Sequence, residues 1–189
     1  MKSKNLFLSY IIFFTSLNII ANDEVTIDLG DKNNECKDIT RETLTERYYS
    51  NNFVGTFNGK KIEYTASLKE KIIYEKDDPN LPMASFFYTE YISKDSDQRP
   101  IIFSFNGGPG SASLWLHMGV LGPKVIKVPS DASDDGSPPY NIIDNKLSPL
   151  SDADLVFIDP IGTGYSRAIG CHEGEEFWGV SEDPKIIAE

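Results

Sequence analysis

From Phe53 onward the chain alternates apolar with polar positions: FVGTF, then Asn58-Gly59, then Ile62, Tyr64, Ala66 and Leu68 separated by polar neighbours. A period of two in aromatic and β-branched residues predicts strands, and Asn-Gly between two such runs predicts a β-hairpin. Further β-rich segments at Lys71–Tyr74 and Ala84–Ile92 flank the proline-bearing stretch DDPNLP. The first half therefore reads as an antiparallel meander.

Two later runs lack alternation: Ile101-Ile102-Phe103-Ser104-Phe105, and Leu155-Val156-Phe157-Ile158 between Asp154 and Asp159. Continuous apolar runs of this length predict strands covered on both faces. Each stops abruptly in a glycine loop, Asn106-Gly107-Gly108-Pro109-Gly110 in one case and Pro160-Ile161-Gly162-Thr163-Gly164-Tyr165-Ser166 in the other. The pair predicts parallel strands joined by a crossover, hence an α/β fold. Ser111 and Ser113 stand where they would cap a short helix over SASLWLHMG. Between the two strands, PSDASDDGSPPYN reads as a surface excursion. Its Asp131, Ser133, Asp135 and Gly136 imitate a calcium loop, but Ile142 occupies the place of the bidentate Glu.

The ends differ from this middle. Lys2 and Lys4 followed by an apolar run to Ala21 read as a secretory leader over residues 1–21, the run being short for a membrane span, with an uncleaved membrane anchor as the alternative. Residues 22–52 read as an acidic arm with a short helix, leaving 53–189 as the folded domain. At the other end, Asp183-Pro184 is a helix start followed by only Lys185–Glu189. The expectation is the front part of a longer polypeptide, with an incomplete sheet.

Composition narrows the function. Aromatics at 12 % and hydrophobics at 40 % suit a packed domain, and a net charge of −11 repels phosphate backbones, so nucleic acid is disfavoured as a partner. Cys36 and Cys171 are the two cysteines of an exported chain and are candidates for one disulfide. With His117 and His172 they lack any paired metal-ligand spacing, so no metal is expected. The exported reading implies a periplasmic or extracellular location.

Glycines after a buried strand expose backbone amides, which suits either a phosphate cradle or an oxyanion hole. Ser111-Ala112 stand where a phosphate loop needs Lys-Ser/Thr, and Ser113 stands where a dinucleotide fingerprint needs its third glycine. No cofactor is therefore expected. Acyl transfer fits better, because a glycine turn after an early strand can donate one oxyanion amide.

Taken together and in order, Asn106-Gly107-Gly108-Pro109-Gly110-Ser111, Leu121-Gly122-Pro123, and Asp154 to Pro160 with Gly162-Thr163-Gly164-Tyr165-Ser166 resemble the N-terminal part of the serine carboxypeptidase family, in a bacterial-looking variant. The resemblance covers roughly Phe53 to the end. It implies an α/β-hydrolase fold, Gly108 N–H as an oxyanion donor, Asn106 as a donor to the substrate's terminal carboxylate, and Gly107 as the point of close backbone approach. Val120 replaces a glutamate that many members use to hold that carboxyl group, and Ser111 replaces a common cysteine. The first change loosens the implied C-terminal specificity.

The sequence contains no G-x-S-x-G elbow, the motif on which such a nucleophile sits. Ser111, Ser113 and Ser166 read as caps or turn residues, His117 as a helix residue near the core, and His172 as a loop residue without an identified partner. The catalytic triad is thus absent. The resulting expectation is serine-type hydrolysis of C-terminal peptide bonds by family resemblance, inactive in this chain alone, with peptide or protein C-termini as partners if completed. The alternatives are a non-catalytic exported peptide-binding module, discriminated by binding of free against amidated C-termini, and a non-functional gene remnant, which would show no cooperative unfolding.

Overall fold

Asn58 and Gly59 both take positive φ, 49° and 80°, which closes the two-residue turn that the Asn-Gly pair predicts. The computed structural model describes residues 44–95, 98–107, 110–128 and 138–179. The chain divides into Met1–Lys32 and Asn33–Glu189, and every described residue belongs to the second unit. The leader, Cys36, Gly108, the Asp131–Gly136 stretch and Asp183-Pro184 lie outside the described residues.

The turn joins β1 (Tyr48–Phe57) to β2 (Lys60–Tyr74), paired antiparallel from Tyr48↔Lys69 to Phe57↔Lys60. Pairing thus starts at Tyr48 rather than Phe53, so residues 48–52, read as the end of the arm, belong to the sheet. Residues 44–47 have no regular structure, so the described part of the arm contains no helix. Lys71–Tyr74 is the end of β2 and not a separate strand. β3 (Pro82–Ser93) returns antiparallel to β2, completing the meander.

β4 (Ile101–Ser104) and β7 (Asp154–Ile158) pair in parallel, Ile101↔Asp154 through Ser104↔Phe157. β7 inserts between β3 and β4, giving the order β1-β2-β3-β7-β4, and β8 (Arg167–Ala168) pairs with the start of β3. The sheet is open and mixed. The crossover from β4 to β7 carries α1 (Leu114–Leu116), a π-helical turn (His117–Leu121), a small antiparallel pair β5 (Lys124–Ile126) and β6 (Ile142–Asp144), and a 3-10 turn (Pro149–Ser151). Described helix is therefore scarce, and the regular structure of the described residues is mostly sheet.

Alternation puts Ile62 and Tyr64 of β2 on one face, joined by Phe57, Leu155 and Phe157. Leu116, Leu121 and Leu150 from the crossover pack onto that face and close the core. Each such fully buried side chain stabilises by about 1.5–3 kcal/mol. β7 lies inside the sheet and is buried at every position, as its apolar run predicts. β4 does not follow the same prediction. It is the last strand in the order, and Ile101, Phe103 and Phe105 are exposed, Phe103 by 61 %. The exposed positions alternate with the more buried Ile102 and Ser104, so one face of β4 is covered and the other is open among the described residues. An apolar run reports burial on both faces only when a layer packs on each of them.

At the start of the parallel pair, Asp154 accepts from Arg99 Nε and Ser93 N–H, both at 3.0 Å, while its own N–H donates to Pro100 O at 2.8 Å. This buried ion pair fixes the two strand beginnings in register, so their opposite ends present their loops at one edge of the sheet.

Candidate functional site

Parallel neighbours end on the same side, and loops beyond their carboxyl ends are where open sheets with parallel strands form crevices. Here those loops are Phe105–Ser113 after β4 and Asp159–Ser166 after β7. Asn106 follows β4 directly and is half buried, its Nδ2 3.5 Å from Ser111 Oγ. Among the described residues its buried Oδ1 has no hydrogen-bond partner. An orphaned amide oxygen costs about 1–3 kcal/mol, so the side chain is poised for a partner. A half-turn about its last side-chain bond exchanges oxygen for NH2, so the site can present either end.

Gly107 is exposed, and a Cβ built on it would meet nothing within 4 Å, so the space before it is open to an incoming group. Gly110 turns the chain with φ +87°. Gly108, the expected oxyanion donor, lies outside the described residues, as does Pro109.

Ser113 is where the structure departs from the capping prediction. It sits in right-handed helical conformation and makes no side-chain cap. Its N–H and Oγ–H instead donate to Asp159 Oδ1, at 2.8 and 2.7 Å. Ser111 likewise does not cap; its hydroxyl faces the Asn106 amide. Ser166 is a turn residue, as predicted, and is fully buried: its Oγ donates to Asp159 O at 2.7 Å and accepts from Phe87 N–H at 2.8 Å. Gly162 and Gly164 take φ +88° and +51°, and Tyr165 between them and Ser166 is 72 % exposed.

His117 packs near the core, as its apolar neighbours predict. Burial pushes its pKa down to about 4, outweighing the field of Asp159, so it is neutral at neutral pH. Its Nε2 shares a hydrogen bond with the Tyr91 hydroxyl at 2.6 Å, and burial pushes the Tyr91 phenol up. The Leu121-Gly122-Pro123 motif has a steric reason: a Cβ at Gly122 would stand 2.3 Å from His117 O. Asn145, which the sequence reading missed, pins this motif by donating Nδ2–H to Val120 O and Gly122 O at 2.8 and 2.9 Å. Val120 itself projects from the π-helical turn and is 58 % exposed.

His172 does have partners, contrary to the sequence reading. Its Nδ1 is 2.8 Å from Glu176 Oε2 and its Nε2 is 3.2 Å from Glu75 Oε1. Glu176 is a local partner four residues on, whereas Glu75 lies far back in sequence, so His172 ties the β2–β3 connection to the segment after β8. Cys171 is disulfide-bonded, and its expected partner Cys36 is not among the described residues.

The site therefore joins Asn106, Gly107, Gly110 and Ser113 with Asp159 at one sheet edge. No serine there is paired with a histidine: Ser113 and Ser166 are engaged with Asp159, and His117 with Tyr91. Among the described residues no cluster of three His, Cys, Asp or Glu side chains suits a metal ion, and no helix is long and apolar enough to cross a membrane. An open groove of about 640 Å³ is lined by Leu44–Glu46 and the end of β2, none of them glycine-turn residues.

Comparison with known proteins agrees with the motif order. The family model described as serine carboxypeptidase matches residues 63–173, more than half of the chain. The pheromone-processing carboxypeptidase KEX1 of Komagataella phaffii is 34 % identical over 82 residues, covering 43 % of this chain and 12 % of that protein. Serine carboxypeptidase-like 36 of Arabidopsis thaliana is 32 % identical over 90 residues, 46 % of this chain and 17 % of that protein. The aligned stretch thus spans less than a fifth of either relative.

Proposed function

Because the chain belongs to the serine carboxypeptidase family, we propose that it supplies the substrate-binding and oxyanion side of an α/β-hydrolase site for serine-dependent cleavage of C-terminal peptide bonds. The observation that carries this reading is Asn106. Its amide, half buried at the carboxyl end of a parallel strand and short of a partner, stands beside the open backbone of Gly107.

In this reading the Asn106 amide is turned over, so that its oxygen accepts from Ser111 Oγ–H and its NH2 takes the unpartnered position and donates to the substrate's terminal carboxylate. The adjoining turn, Gly108 N–H included, stabilises the carbonyl oxygen as it gains negative charge. Fixed donors of that kind are each worth about 3 kcal/mol in the transition state. The 189 residues carry no G-x-S-x-G elbow, so in this reading they supply no such nucleophile and are expected to bind without hydrolysing. Export is part of the proposal. The leader pattern and the disulfide at Cys171 both fit an oxidising compartment.

Calorimetry on the chain tests the reading with one peptide carrying either a free or an amidated C-terminus. A hydrogen bond to a charged group is worth about 1.5–3 kcal/mol, so the free form is expected to bind at least about tenfold more tightly. Asn106→Ala should erase that preference. Equal affinity of both peptides for the unaltered chain removes the proposal.

A further inference from the structure

We propose that Asp159 is a positioning residue for the glycine turn, holding through Ser113 the backbone that the substrate meets. The inference rests on the reading of that turn as the substrate-binding side of the site, and adds a residue at which the turn is fastened.

The turn is suspended between two points. At one end Ser104 is paired with Phe157 in the parallel ladder. At the other, both donors of Ser113 converge on one oxygen of Asp159, with N–H at 2.8 Å and Oγ–H at 2.7 Å. Bonds to a carboxylate are roughly twice as strong as neutral ones, so Ser113 is firmly fastened next to Gly110, Ser111 and Ala112.

Asp159 is itself held. Its N–H donates to Phe87 O at 3.0 Å, and its carbonyl accepts from Ser166 Oγ, which also accepts from Phe87 N–H. On its far side the backbone of Gly164 lies so close that a Cβ there would be 2.2 Å from Asp159 Oδ2. Only glycine at position 164 therefore leaves the carboxylate its place beside Ser113. Ser113 also accepts from His117 N–H at 2.9 Å through its carbonyl, so the same residue starts the helical turn that covers the core.

Backbone ¹⁵N relaxation on the full 189-residue chain tests this without substrate, so its outcome is independent of whether peptides bind. In Asp159→Ala the order parameters of Gly107, Gly110, Ser111 and Ala112 are expected to fall below those of the unaltered chain, toward the flexible range under about 0.6, while those of β2 hold. Asp159→Asn keeps an oxygen acceptor without the charge and should restore them. Ser113→Ala, which removes one donor and keeps the other, should loosen the same residues in part, and decides the matter if Asp159→Ala does not fold. A turn unchanged in the variants, or loosening spread evenly over the sheet, overturns the proposal.

Discussion

The imidazole of His117 lies flat on the ring of Phe157, with centroids 4.4 Å apart and planes 14° from parallel. This stacking joins the crossover to β7 and takes the imidazole out of water. Burial sets its pKa at about 4, against 6.5 when unperturbed. Between those values the unfolded chain binds a proton that the folded chain refuses. Stability is therefore lost as pH falls through that window and stops changing on this account below it. The full loss is about 3 kcal/mol. Urea midpoints should drop between about pH 7 and about pH 4.5, and the drop should shrink in His117→Gln. A midpoint independent of pH in this range contradicts a buried, neutral His117.

Glu70 is a buried carboxylate on β2, in line with Ile62 and Tyr64, and it owes its place to Arg47. The Arg47 N–H, Nε and Nη2 donate to it at 3.0, 2.7 and 3.1 Å, and Ser85 Oγ donates as well. Burial pushes the Glu70 carboxyl up, but hydrogen bonds from Arg47 and Ser85 outweigh it and hold the group below its ordinary 4.5. Its contribution is present above that value and lost in more acid solution, a window below that of His117. Arg47 is half exposed and rehydrates readily, whereas Glu70 does not. Arg47→Ala should accordingly cost about 3 kcal/mol, more than Glu70→Gln, and adding Glu70→Gln to Arg47→Ala should recover part of the loss. Chemical denaturation of the three variants checks the order; additive losses contradict it.

Local sequence carried the hairpin, because positive φ at Asn58 and Gly59 is a property of those residues themselves. It carried β7 for a similar reason, since Leu155–Ile158 allows no exposed face. It did not carry the exposure of β4, which is apolar like β7 but has one face that nothing covers among the described residues. Nor did it carry what Ser113 and His172 do. Their partners, Asp159 for one and Glu75 for the other, lie far along the chain and meet them only after the sheet has formed. The glycine turn was legible as chemistry, whereas the carboxylate that fastens it appeared in sequence only as the end of a strand.

The exposed row Ile101, Phe103 and Phe105 lies along a strand with a free edge among the described residues. Apolar edges invite pairing with another chain, and a lysine at such a position discourages it. Phe103→Lys should lower concentration-dependent association measured by light scattering. Unfolding free energy should change by no more than about 0.5 kcal/mol, because the ring is already largely in water. Unaltered association in this variant would place the sticky surface elsewhere.

Gly164 couples backbone strain to the Asp159 contact, and the two can be separated. Its φ of +51° disfavours any side chain, and a methyl group there would stand 2.2 Å from Asp159 Oδ2. Gly164→Ala therefore carries about 1–2 kcal/mol for the left-handed backbone, plus a further 1–2 kcal/mol, roughly, for displacing the carboxylate from Ser113. In an Asp159→Ala background the second part vanishes, because the oxygen is gone and the bonds to Ser113 are already lost. Unfolding free energies around this double-mutant cycle should show a coupling of about 1–2 kcal/mol, with Gly164→Ala the milder in the second background. If the glycine substitution costs the same with and without the aspartate, Gly164 does not set the place of the carboxylate, and Asp159 is held toward Ser113 by something else.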